Sequence, residues 1–211
     1  MDRIEKAKDF LTKMYNESEY LNNNLSQKNY RFEHTLRVSK WGEKIAIDEG
    51  LDIDALVVGC LLHDISYIEE IDSEEKAINH GRRSAEIVGD FLNELDFDLD
   101  TKNDILHGIA IHVDGKSAKE WRNSVLASSI GDADNLDRFD AYRIYEFLQF
   151  NNYSEMNIAE KEKFCIERIA KINENLKVDF STTFATRIFH SELRFMLGFY
   201  TKLYNQCLNS Y

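Results

Sequence analysis

Proline is absent from the chain and glycine is scarce, at nine residues in 211. Neither a proline-rich linker nor a glycine-rich hinge therefore divides it. No Ser/Gly-rich or repetitive stretch marks a boundary, so residues 1–211 read as a single domain, little longer than the ~100–200 residues usual for one. Cysteine is rarer than glycine: Cys60, Cys165 and Cys207 lie far apart, leave one thiol over under any disulfide scheme and form no CxxC pair, which points to a reducing cytoplasm. Long apolar runs are missing too. The strongest, Ala55 to Leu62, is far short of a membrane span, and the opening Met1-Asp2-Arg3-Ile4-Glu5 has no apolar stretch of signal-peptide length. Basic residues are outnumbered, 26 Lys+Arg against 38 Asp+Glu, for a formal net charge of −12. That balance disfavours charge-driven attachment to a nucleic-acid polymer or a membrane. The expectation is a cytoplasmic protein with a small-molecule substrate, its oligomeric state left open, with a homo-oligomer admitted.

What is present is helical periodicity. Apolar residues recur at spacings of three and four in nearly every segment, while alternation of period two is hard to find, so the fold class is all-α. The pattern predicts helices over about 3–15, 30–48, 53–63, 81–95, 101–112, 118–137, 138–150, 155–177 and 183–208. Asp52, Thr101 and Ser154 read as N-caps, whose side chains accept an otherwise unpaired backbone N–H. Asn22-Asn23-Asn24 and the stretch from Glu69 to Glu75 read as polar loops.

Five of the six histidines lie between positions 34 and 112, with a dense acidic run, Asp132-Ala133-Asp134-Asn135-Leu136-Asp137, following them. His34 is in helical phase with Val38, Trp41 and Ile45, so it projects from a core-facing stripe. Alone, it would read as a hydrogen-bonded core histidine. The pair His63-Asp64 is different, because it ends the most apolar segment of the chain, where an ionised carboxylate is costly unless a cation or donors compensate it. A divalent ion held by imidazole nitrogen and carboxylate oxygen would do so, and without a CxxC pair the cysteines do not suggest a structural thiolate site. His112 shares a face with Ile105 and Ile109, whereas His107 lies about 160° from Ile109, which makes His107 a surface or secondary residue. His80 aligns with Ile87 and Phe91 at what reads as a helix start, where a helix cap is its bland role. Helical phase groups Asp132 with Trp121, Val125 and Leu136, and Asp134 with Ala127 and Ile130; Asp137 reads either as orienting a ligand histidine or as a solvated charge.

The segments His34-Thr35-Leu36-Arg37-Val38, Leu61-Leu62-His63-Asp64-Ile65 and Ala133-Asp134-Asn135-Leu136 together resemble the HD-domain metal-dependent phosphohydrolases, over roughly residues 30 to 150. The resemblance implies a multi-helix HD-domain bundle with C-terminal helices packed on that core. It implies that His34, His63, Asp64 and Asp134 bind one metal, and that His80 and His112 serve a second metal or the substrate phosphate. Asp134 is preferred to Asp132 on the motif alone.

The departures narrow the substrate. Ser66 follows Ile65 where HDIG-type members have glycine, and no Gly-Tyr-Pro motif can exist without proline, so the cyclic-di-GMP phosphodiesterase subgroup is unsupported. Tyr67 and Ile68 stand where alarmone hydrolases carry carboxylates. The remaining resemblance is to small stand-alone hydrolases, some acting on nucleotides. The expected activity is hydrolysis of a phosphate ester or anhydride by metal-activated water, using one or two divalent ions (Mn, Mg, Co, Ni, Fe or Zn). Asp64, His80 and His112 are the candidate catalytic groups, and Arg37, Arg83 and Lys116, with Arg82, are the candidate phosphate-binding cations. The alternatives are an HD-type di-iron oxygenase and a degenerate HD module serving in signalling or interaction.

Overall fold

The computed structural model describes residues 2–117 and 121–210, and these contain helices and no strand. They divide into two compact units, one extending to Asp134 and the other beginning at Asn135. The first holds α1 (Arg3–Glu17), α2 (Glu19–Asn23), α3 (Leu25–Glu49), α4 (Ile53–Leu62), α5 (Glu74–Val88), α6 (Leu99–Ile111) and most of α7 (Val125–Arg138), with 3-10 turns at Ile65–Ile68 and Phe91–Leu95. The second holds the end of α7, then α8 (Ala141–Phe150), α9 (Ile158–Asn175) and α10 (Thr183–Leu208).

The centre of the first unit is α4. Every residue from Ala55 to Leu62 is buried, because α1, α3 and α6 all pack against it. Asp52 caps its start by accepting the Ala55 N–H at 2.9 Å. Its other end therefore delivers His63 and Asp64 into the interior. Close approach of the next layer depends on Gly108 of α6, where a Cβ would meet the Ala127 carbonyl oxygen at 2.5 Å and Ile130 Cδ1 at 2.6 Å. Backbone cannot yield as a flexible side chain can, so Gly108→Ala should destabilise the protein by about 1–3 kcal/mol. Urea unfolding checks this; an unchanged midpoint would show that α6 and α7 can separate freely.

In the second unit α9 packs along α10, with Phe164 6.2 Å from Tyr200 and Phe139 edge-on to Phe189 at 5.1 Å. All three cysteines are free and buried. Among the described residues no helix is long and apolar enough to cross a membrane.

Several boundaries differ from the sequence expectation, each for a physical reason. The helix expected from 81 begins at Glu74, capped by Ser73, because its first turns are largely exposed and carry no apolar stripe for periodicity to register. Asp98, not Thr101, caps α6, accepting both the Thr101 N–H and its hydroxyl at 2.8 Å; Leu99 opens that helix 72% exposed. Asn157, not Ser154, caps α9, in a reciprocal capping box with Glu160. Asn22 and Asn23 end a short helix rather than forming a loop. The helix expected from 118 starts at Val125, after Ser124 accepts the Ala127 N–H; residues 118–120 lie outside the described set.

Candidate metal centre

Five helices each bring ionisable side chains to one place inside the first unit. His34 comes from the middle of α3, His63 and Asp64 from the end of α4, His80 from α5, His112 from the end of α6 and Asp134 from α7. His63 is 0% exposed and Asp64 3%. Their ligand atoms fall into three mutually close groups, His34/His63/Asp64, His63/His112/Asp134 and Asp64/His80/His112, with atoms in each group within 4.8 Å of one another. Such a concentration of charge in a core is costly unless it is compensated.

The two oxygens of Asp64 face different partners. Oδ2 lies 3.8 Å from His34 Nε2, 3.7 Å from His63 Nε2 and 3.0 Å from the Arg31 guanidinium. Oδ1 lies 3.1 Å from His80 Nε2 and 3.4 Å from His112 Nε2. Asp134 Oδ1 completes the first side, 3.1 Å from His34 Nε2 and 3.8 Å from His63 Nε2. Asp64 thus stands between two histidine pairs.

Three of these histidines are anchored in the same way. The Nδ1–H groups of His63, His80 and His112 donate to the carbonyls of Cys60, Ala77 and Ile109, three residues earlier, at 2.8, 2.6 and 2.7 Å. A carbonyl only accepts, so each Nδ1 carries a proton and each ring turns its Nε2 into the cluster. Metal-bound imidazoles are oriented by such a bond from their other nitrogen. Gly81 permits the arrangement, since a Cβ there would lie 2.9 Å from His112 Nδ1.

The electrostatics follow from burial and from these neighbours. Burial pushes the His63 pKa down to about 4, leaving a neutral imidazole near neutral pH. Burial alone would raise the Asp64 carboxyl, but His63, hydrogen bonds from His112 and His80, and the Arg31 charge hold it well below the usual carboxylate range. His112 is raised: burial opposes its charge, and the hydrogen bond to Asp64 together with the Asp64 and Asp134 charges outweighs it. Burial also opposes the Arg31 charge, and Asp64 and Tyr67 overcome it.

A divalent cation fits this donor set. His63 Nε2 is buried without a hydrogen-bond partner, its lone pair beside two carboxylate oxygens. His80 Nε2 and His112 Nε2 approach to 3.0 Å, a separation at which two lone pairs repel unless a proton or metal lies between them. Nitrogen and carboxylate oxygen donors suit a borderline or hard divalent ion.

Several residues singled out in the sequence have surroundings that helical phase does not foretell. His80 sits well inside α5, which Ser73 caps, so it is neither at a helix start nor a cap. His107 is not a surface residue: it is 5% exposed and stacks on Trp121 at 5.9 Å, because α6 is enclosed on the face opposite its apolar stripe as well. Asp132 and Asp137 are buried like Asp134, which removes the solvated reading of Asp137, though only Asp134 among them belongs to one of the three close groups of described residues. Arg37 is half-buried on α3. Arg83 is held by Glu69 at 2.7 Å and Glu86 at 3.1 Å on the surface. Lys116 is exposed and lends its carbonyl to Arg82, whose guanidinium is otherwise occupied by Asp114, Asn79 and the Ile78 carbonyl.

Arg31, which sequence reasoning missed, is a cation that touches the cluster, through Asp64. It lies one turn before His34 on the same helix face, a spacing that could have flagged it. Its guanidinium sits 3.3 Å above the Tyr67 ring, and Tyr67 in turn lies 5.0 Å from the His80 ring.

Comparison with known proteins agrees with this architecture. The HD domain family model matches residues 31–141, just over half of the chain. The crystal structure of a predicted HD superfamily hydrolase from an uncultured Thermotogales bacterium has a similar fold, with a TM-score of 0.63 over 97% of this chain and 93% of that one, at 17% identity. No curated protein sequence matches. With the family match running from the helix of His34 through the acidic run of α7, the chain belongs to the HD domain family.

Proposed function

We propose that this protein is a metal-dependent phosphohydrolase that cleaves a phosphate ester or anhydride in a small phosphorylated substrate. The observation that carries the reading is the division of Asp64, one carboxylate oxygen toward His34 and His63 and the other toward His80 and His112. In this reading His34, His63, Asp64 and Asp134 hold one ion, and Asp64, His80 and His112 hold a second. Such ions supply Lewis-acid polarisation of a phosphoryl oxygen and bring the acidity of water toward neutrality.

The chain's own groups do the rest. Asp64, ionised at neutral pH, is positioned to orient a water between the two histidine pairs. The Nδ1–carbonyl bonds keep three imidazoles in the tautomer that leaves Nε2 available. Arg31 presents fixed positive charge beside the cluster, restrained by the Tyr67 ring, where it can pair with a substrate phosphate. In a chain of net charge −12, local charge of this kind is what lets a polyanion approach.

The test is purification without chelator, metal analysis, and a screen of nucleotides, sugar phosphates and pyrophosphate with each candidate ion in turn. Hydrolysis in 18O-labelled water should leave one label in the products. Paired iron with a visible chromophore and no hydrolysis would favour an oxygenase, and a chain that takes up no metal would favour a non-catalytic module. Within the first ion site, Asp134→Asn should weaken metal binding more than Asp132→Asn does, because Asp134 Oδ1 lies beside both His34 and His63. Calorimetric titration of the two variants checks this, and the reverse order would move the ligand to Asp132.

A further inference from the structure

Ser66, two residues past Asp64, and Ser84, one turn past His80, form a closed hydrogen-bonded pair. The Ser66 N–H donates to Ser84 Oγ at 3.1 Å, the Ser84 hydroxyl donates to Ser66 Oγ at 3.0 Å, and the Ser66 hydroxyl donates to the His80 carbonyl at 2.9 Å. Both residues are 0% exposed. Each hydroxyl accepts once and donates once, shielded from bulk solvent, so the three bonds fix direction as well as distance.

Their placement matters more than their number. Ser66 belongs to the 3-10 turn that leaves Asp64, and Ser84 to the helix that carries His80. The His80 ring is itself tied to α5 through Ala77, so whatever sets α5 against that turn also sets His80 Nε2 at 3.1 Å from Asp64 Oδ1. A glycine at position 66 would keep one backbone bond and lose both hydroxyl links. We propose that Ser66 and Ser84 are positioning residues that hold Asp64 and His80 at the spacing the second ion requires. This rests on the two-ion reading above.

The experiment is calorimetric titration of Mn2+ into chelator-stripped protein, with thermal unfolding of the same samples. The wild type should bind two ions, and His80→Ala should identify the second by losing it. Ser84→Ala and Ser66→Gly should keep the first affinity but bind the second ion roughly 10- to 100-fold more weakly, the usual cost of losing an outer partner of a metal ligand. Ser84→Thr, which retains the hydroxyl, should stay close to wild type. If both affinities fall together in both variants, the serines act only as structural glue and the proposal fails; if neither affinity changes, it fails as well. A wild type that binds fewer than two ions overturns the two-ion reading itself, and the proposal with it.

Discussion

Asp64→Ala should abolish detectable hydrolysis and leave the purified protein with less than one tightly held ion, while its far-ultraviolet circular dichroism stays that of the wild type. Asp64 is the residue common to both halves of the cluster, so its removal withdraws an oxygen from His34 and His63 and another from His80 and His112. Loss of one preorganised charge-stabilising group costs about a hundredfold or more in turnover, and here two ions would be weakened by one substitution. Helical content should survive because α4 is held by its apolar faces rather than by its terminal carboxylate. Breaking a buried charge cluster does leave Arg31 without its carboxylate, a loss of about 3–5 kcal/mol where nothing relaxes, so the variant should melt at lower temperature. Asp64→Asn, which preserves shape, should lose activity equally. Wild-type metal occupancy in both variants would overturn the ligand assignment.

Arg31→Ala should lower kcat/KM by roughly a hundredfold to a thousandfold, while metal content stays near that of the wild type, if the guanidinium neutralises phosphate charge as it develops. Arg31→Lys should recover only part of the loss, because a lysine presents a point charge instead of a planar fork and cannot lie across Tyr67 in the same way. The comparison is Arg83→Ala, whose exposed guanidinium is already shared between Glu69 and Glu86 and whose removal should change turnover little. Equal losses from the two alanine variants would return the phosphate-binding role to the surface cations that the sequence suggests. Loss of metal in Arg31→Ala would show that the arginine serves the fold of the centre and not the substrate.

The contrast between Arg31 and Arg83 indicates how far the sequence could be read. His63-Asp64 was legible because eight consecutive buried residues precede it, and nothing in an apolar helix end explains a carboxylate except compensation. The all-helical class was legible from periodicity for the same reason. The starts of α5 and α6 were not, because solvated first turns have no apolar phase and are fixed by the Ser73 and Asp98 caps. His107 was misjudged because helical phase separates two faces without saying whether the second meets solvent or Trp121. Phase could not decide between Asp132 and Asp134 either, since both are buried. The clasp of Ser66 with Ser84 joins positions that no local pattern connects.

The bond each of His63, His80 and His112 makes to a carbonyl of its own helical turn has a consequence for metal choice. An imidazole locked to its backbone cannot swivel to accommodate an ion of different radius. Adjustment must come from sliding whole helices, and α4 and α5 are pinned by apolar packing and by the serine clasp. In the two-ion reading, ionic size would be read as an interhelical distance, and selectivity among divalent ions would rest on the scaffold's stiffness more than on the donor atoms.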